Sequence, residues 1–153
     1  MPDTDFDLIA KGMTQAVPFA GHLNLEITEI SEGEATVVLP ERDELKNHVG
    51  SQHAGALFTA AETASGAAFV GAFAARMENI TPLARSAEIA YEKIARGPIT
   101  ARARLGVPAD QALATLDADG KVEFPCEIEL TDGEGTVVAA ANVRWHVRLK
   151  SGS

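Results

Sequence analysis

The chain has 153 residues, 46% hydrophobic and 23% charged, with a formal net charge of −9. That length supports one domain with a sizeable core, and the composition is that of a globular protein. The acidic balance disfavours a general nucleic-acid binder and attraction to anionic membranes, because both draw on Lys and Arg at phosphates, so only a local basic patch would escape that argument.

Cys126 is the single cysteine, so a thiolate metal cluster and an internal disulfide are both excluded within one chain. No cofactor and no metal are expected. The first residues, MPDTDFDLIAKG, are acidic and carry no basic segment ahead of an apolar one. A reducing, cytoplasmic location is therefore the expectation.

Residues 4–16 read as a short amphipathic helix, capped by Thr4 or Asp5, with Phe6, Ile9 and Met13 on one face. Pro18 and Gly21 end it. From Leu23 the period changes to two. Leu25, Ile27 and Ile30, then Ala35, Val37 and Leu39, predict a hairpin turning at Glu32-Gly33. A charged loop, ERDELKNHVGSQ, leads into an alanine-rich run that predicts a helix over residues 54–77, about six turns long. Asn79 to Pro82 closes it. Strands are predicted over residues 86–94, 99–107, 124–132 and 136–149, and residues 108–121 read as a loop ending in an Asp119-Gly120 hairpin turn.

This is an α+β pattern: an antiparallel sheet of about six strands curved around one buried central helix, with a short N-terminal helix. One domain spans 1–153, with a lead-in over 1–20, a core over 21–149 and a tail over 150–153. Residues 54–75 hold one charge in 22 positions, near membrane-spanning length, but alanine is weakly apolar and Glu62 near the centre is costly in lipid. A buried helix is the better reading.

Glu62 is the anomaly in that helix. Its neighbours are Phe58, Ala60, Ala61, Ala64, Ala67 and Ala68, and a carboxylate among apolar groups is costly when ionised, so its pKa should rise. Just upstream lie polar loop residues and a helix N-terminus with free N–H groups.

The stretch N-x5-H-A-G-A-L-F-x3-E-T-A-S-G, from Asn47 to Gly66, resembles the core of the hotdog-fold thioesterase superfamily, most closely its PaaI-type branch and uncharacterised relatives. SAEIAYEKIARG is a weaker echo. The resemblance implies that Asn47 contacts the thioester or orients water, and that His53 helps hold the loop and the thioester. Ala54 stands where the family has a glycine whose N–H polarises the thioester carbonyl, and Gly55 follows at the helix start. Glu62 matches the acidic general base or nucleophile. A Ser or Thr that assists water in some members falls near Ala84, with Thr81 and Ser86 close by.

The residues support the same chemistry independently. The N–H groups of Ala54 and Gly55, with the helix dipole behind them, suit an oxyanion, and a Glu62 of raised pKa suits proton abstraction from water. Gly55 and Glu62 are seven residues apart, about 10 Å along a helix at 1.5 Å per residue, so one carbonyl cannot touch both. If both serve one reaction they come from different subunits. The prediction is a homodimer with composite interface sites, extending to a dimer of dimers.

Structural readings stay open for each residue: Asn47 as a turn residue, His53 as a loop brace, Gly55 as a packing glycine and Glu62 paired with an Arg or loop N–H groups. Arg85, Lys93, Arg96, Arg102 and Arg104 either meet the phosphates of coenzyme A or lie on solvated faces. His22, His48 and His146 have no metal spacing, Ser51 is in no nucleophile elbow, and no phosphate loop is present. Cys126 reads as a small core residue.

The leading expectation is an acyl-CoA or acyl-carrier thioesterase using Glu62, Asn47, His53, Ala54 and Gly55. The alternative is a non-catalytic acyl-CoA-binding hotdog module. A hotdog dehydratase is disfavoured, since the proline-rich loop around its histidine is missing.

Overall fold

A computed structural model describes residues 5–151. Helix α1 (Phe6–Ala16) starts at Asp5, whose carboxylate accepts the Leu8 N–H at 3.0 Å. Thr4, the other candidate cap, lies outside the described residues. Pro18 does not simply end the helical path. It occupies the first turn of a second helix, α2 (Pro18–His22), where its missing N–H costs nothing. The predicted hairpin follows as β1 (Glu26–Ser31) and β2 (Glu34–Leu39), with Gly33 at φ 84° in the turn.

The central helix α3 spans Ala54–Phe73 and tightens into a 3₁₀ stretch over Ala74–Asn79, so its regular part stops before the expected Met77. Strand β3 then runs from Ile80 to Tyr91. It begins earlier than the sequence indicates and leaves Ile94 in the following turn. Pro82 had marked a boundary, but it sits inside β3, which lies at the edge of the sheet, where proline is tolerated.

Strand β4 (Ile99–Leu105) alternates as predicted, with Ile99, Ala101, Ala103 and Leu105 inward. The largest correction comes next. Residues 109–119 form helix α4 (Ala109–Asp119), not a loop, and bury Ala112 and Leu116 one turn apart. Gly120 is no hairpin turn. It closes α4 in the left-handed conformation, φ 76°, and gives its N–H to the Leu116 carbonyl at 2.8 Å. Strands β5 (Lys121–Thr131) and β6 (Val137–Leu149) complete an antiparallel sheet ordered β1-β2-β4-β5-β6-β3.

Helix α3 lies in the concave face of this sheet, against β1, β2, β4, β5 and β6. Its small residues allow the close approach: a Cβ on Gly71 would collide with the Ser31 carbonyl and come within 2.8 Å of Ile30. Farther along, Phe69 stacks on Trp145 with centroids 5.3 Å apart and touches Phe73 and Phe124. The stretch from Ala54 to Asn79 is long and apolar enough to cross a membrane, but 72% of its most apolar window is buried inside the protein. The architecture is the one the resemblance implies.

The two sheet edges differ. Strand β1 is six residues long, bulged between Ile27 and Glu29, and covered by α1. Strand β3 is twelve residues long and, among the described residues, pairs only with β6. Nearly all of its residues are exposed on both faces.

Candidate functional site

The loop ahead of α3 is organised by Asn47. Its Oδ1 accepts the N–H groups of Val49 and Ser51, both at 3.0 Å, while its Nδ2 donates to Ser51 Oγ at 2.9 Å. These bonds fold residues 47–51 into a tight turn and use the carboxamide within its own loop. Gln52, to which the sequence reading gave no role, ties this loop to the rest of the fold. Its backbone N–H donates to the Ala95 carbonyl at 2.9 Å, and its Nε2 donates to the carbonyls of Pro40 and Gly97, each at 3.1 Å. Nothing local in the sequence distinguishes this buried glutamine from an exposed one.

His53 is the N-cap of α3. Its Nδ1 accepts the Gly55 N–H at 2.8 Å, which places the proton of the neutral ring on Nε2. The Gly55 donor is therefore not free for an oxyanion, contrary to expectation. A Cβ at Gly55 would sit 3.1 Å from that same nitrogen, so the glycine keeps the cap short. The N–H groups of Ala56 and Leu57 both turn back to the His53 carbonyl. That leaves Ala54 as the first residue of the helix with an N–H that has no partner among the described residues. Asn24 is the one non-glycine with positive φ among the described residues, so the alanine at position 54 is unstrained and no glycine is required there.

Tyr91, at the end of β3, donates its hydroxyl to the Ala54 carbonyl at 3.1 Å. A groove of about 450 Å³ opens here, between the loop that carries Asn47 and Val49 and the turn after β3. Tyr91 was legible only as one of an alternating set with Ala87 and Ile89.

Glu62 sits two turns into α3, half-buried, and burial raises its carboxyl pKa. Its side chain makes no ion pair or hydrogen bond among the described residues, so neither the Arg-paired nor the loop-capped reading is observed. Its carbonyl accepts the Ser65 hydroxyl at 2.7 Å, and Ser65 Oγ in turn accepts the Trp145 indole N–H at 3.2 Å. The turn carrying Glu62 is thus tied to β6.

The remaining candidates are scattered. Thr81, Ala84 and Ser86 are exposed along β3. Arg102 and Arg104 lie on the outer face of the sheet, bonded to Thr131 and Glu127, and Arg85 is 3.7 Å from Glu123. Lys93 alone of the five cations lines the groove. Cys126 is buried, and burial pushes its thiol pKa up to about 12, so it is an inert core residue. No group of three His, Cys, Asp or Glu able to hold a metal occurs among the described residues.

Solved structures place this geometry among known folds. PA5026 from Pseudomonas aeruginosa, described as a protein of unknown function and probable thioesterase, is 28% identical. The match covers 98% of this chain and 99% of that one, with a TM-score of 0.85. A thioesterase family protein from Silicibacter pomeroyi shares the fold at 17% identity and a TM-score of 0.75, over 95% of this chain and 99% of that one. The E. coli PaaI protein, from the phenylacetic acid degradation operon, shares it at 20% identity and a TM-score of 0.67, over 92% of each chain. No curated protein matches the sequence. The family described as "Domain of unknown function (DUF4442)" matches residues 7–147, nearly the whole chain. The chain belongs to that family, and its structure has the hotdog fold of the thioesterase superfamily.

Proposed function

We propose that the protein is a thioester hydrolase acting on acyl groups carried by coenzyme A or an acyl carrier. The observation that carries this reading is the pair of unspent groups on α3: the Ala54 N–H at the helix start and the unpartnered Glu62 carboxylate with its raised pKa. Stability alone favours neither arrangement. Glu62 takes a proton from water as the oxygen adds to the thioester carbonyl, and the Ala54 N–H holds the oxyanion that forms. Collapse breaks the C–S bond, and the proton on Glu62 returns to the departing thiolate. The products are a carboxylic acid and a free thiol.

Ala54 and Glu62 are eight residues apart on one helix, about 12 Å along its axis, too far for one carbonyl to meet both. The two groups therefore come from different subunits of a homodimer. The exposed twelve-residue edge of β3 supplies the surface, since its free N–H and C=O groups template a second copy. A cytoplasmic setting fits the lone buried thiol.

A non-catalytic acyl-CoA-binding module is the second reading, and one observation favours it: the Asn47 carboxamide is engaged within its own loop rather than available to position water.

Free-thiol release from a panel of acyl-CoA thioesters tests the proposal, with two variants. Ala54→Pro deletes one N–H at the first helical position, where proline is well tolerated and the extended His53 (ψ 142°) can precede it. It should cost about 100-fold or more in rate without unfolding the protein. Glu62→Gln should cost on the order of 100- to 10,000-fold. Wild-type protein that binds acyl-CoA but releases no thiol would leave the binding module as the function.

A further inference from the structure

We propose that the groove between Val49 and Ile94 receives the apolar acyl group of the substrate, and that Tyr91 and Ile94 set how bulky that group can be. The inference rests on the thioesterase reading for one point, the placement of the reacting carbonyl at the Ala54 N–H.

Eight large apolar side chains are markedly exposed among the described residues, and three of them meet on this one groove: Val49 at 55%, Tyr91 at 48% and Ile94 at 62%. Leu57, buried, forms part of the same lining. Apolar surface gathered into a concave site beside a polar anchor is the usual form of a small-molecule pocket.

The groove is also held open at a fixed width. One wall is the Asn47 loop and the other is the turn around Ala95. Gln52 joins them directly through its N–H to Ala95 and its Nε2 to Gly97. Tyr91 is fixed in turn by its hydroxyl bond to the Ala54 carbonyl, and both residues line the groove.

A thioester carbonyl at that N–H has two arms, the acyl chain and the carrier's pantetheine. Polarity decides which of them enters. The Tyr91 hydroxyl, the Asn47 carboxamide and the Gln52 Nε2 are already bonded within the protein, and the unpartnered Gln52 Oε1 is sealed from solvent. Only Glu92 and Lys93 add charge to the lining. A pantetheine arm would bring amide groups that find few partners there, whereas a hydrocarbon needs none.

The experiment compares the wild-type full chain with Ile94→Trp across acyl-CoA thioesters from acetyl to dodecanoyl. Residue 94 is exposed on a turn, so the indole fills the groove without disturbing the core. The ratio of kcat/KM for long over short acyl groups should fall roughly tenfold or more. An unchanged profile overturns the proposal while leaving the hydrolase intact. If no thioester is hydrolysed, calorimetric binding of the decyl thioether of coenzyme A decides instead: weakening of roughly tenfold or more in the variant supports the groove, and equal affinity overturns it. Light scattering accompanies both arms. A variant that changes association state overturns the proposal and assigns Ile94 to subunit contact.

Discussion

Along one helix, α3, two halves of similar length do opposite things with their side chains. Residues 64–73 are almost all buried, and they present Phe69 and Phe73 to Phe124 and Trp145 while Gly71 brings the backbone against β1. Residues 54–63 bury Ala56, Leu57, Ala60 and Ala61 on one side but keep Ala54 and Gly55 exposed and Phe58, Thr59, Glu62 and Thr63 half-buried. The first turn leaves a donor unspent, and the third leaves a carboxylate unpaired. Packing energy is concentrated at one end and unsatisfied polarity at the other. A rigid anchor of this kind lets the front of the helix hold groups that stability alone would remove. The comparison therefore predicts that substitutions in the rear half cost stability and those at the exposed and half-buried positions of the front half cost turnover.

The largest effect is expected from Phe69→Ala, which removes the ring at the centre of the aromatic cluster, 2% exposed. Urea denaturation should show a loss of about 3–5 kcal/mol. Gly71→Ala comes next. Its new Cβ meets the Ser31 carbonyl, a backbone atom that cannot swing aside, and the cost should be about 2–3 kcal/mol, with turnover per folded molecule preserved.

Ser65→Ala probes the joint between the halves, because Ser65 Oγ bonds both the Trp145 indole and the Glu62 carbonyl. Leaving the buried indole N–H unpaired should cost about 1–3 kcal/mol. Trp145 is the only tryptophan, so its fluorescence reports the change directly. A rate loss exceeding the loss of folded protein would break the comparison by coupling the two halves.

The smallest effect on stability is expected from Glu62→Gln, and it is favourable. Burial holds the carboxyl pKa above its unfolded value, so the folded state keeps its proton longer. Stability is then lost as pH rises from the usual carboxylate range through the raised folded value. The amide has no such penalty. Its Tm should equal that of the wild type near pH 3.5, about where both states are protonated, and exceed it at neutral pH. A variant less stable than wild type at neutral pH would show that Glu62 is satisfied after all. On the proposed mechanism, wild-type hydrolysis should decline as pH falls through the same raised pKa, because that mechanism needs Glu62 ionised.

Strong periodicity made most of the fold legible. Strand β4 alternates without interruption, and the small residues of α3 announce a sheet lying close to it. Helix α4 was not legible because its buried stripe is only Ala112 and Leu116, diluted by Asp, Thr and Ala that read equally well as loop. The early start of β3 was hidden by Pro82, whose meaning depends on whether a strand is central or at an edge. At the candidate site, the spacing from Asn47 to Glu62 picked out the segment that carries the unspent Ala54 N–H and the unpaired Glu62 carboxylate. It did not show that His53 takes the Gly55 N–H, or that Asn47 spends its side chain on its own loop.

The division has a physical basis. Sequence alone determined what depends on neighbours along the chain: helix and strand periods, the acidic character, the single thiol, and an acidic residue stranded in an apolar helix. Tertiary structure decided what depends on competition between distant groups. Whether an N–H is free follows from what else reaches it, and His53 reaches Gly55 but not Ala54. Whether a carboxylate stays unpaired follows from where every cation ends up, and here the arginines of β4 face away from α3. Gln52 joins the loop to the ends of β2 and β3 only because the sheet brings Pro40, Ala95 and Gly97 to one place, across as many as 45 residues of sequence.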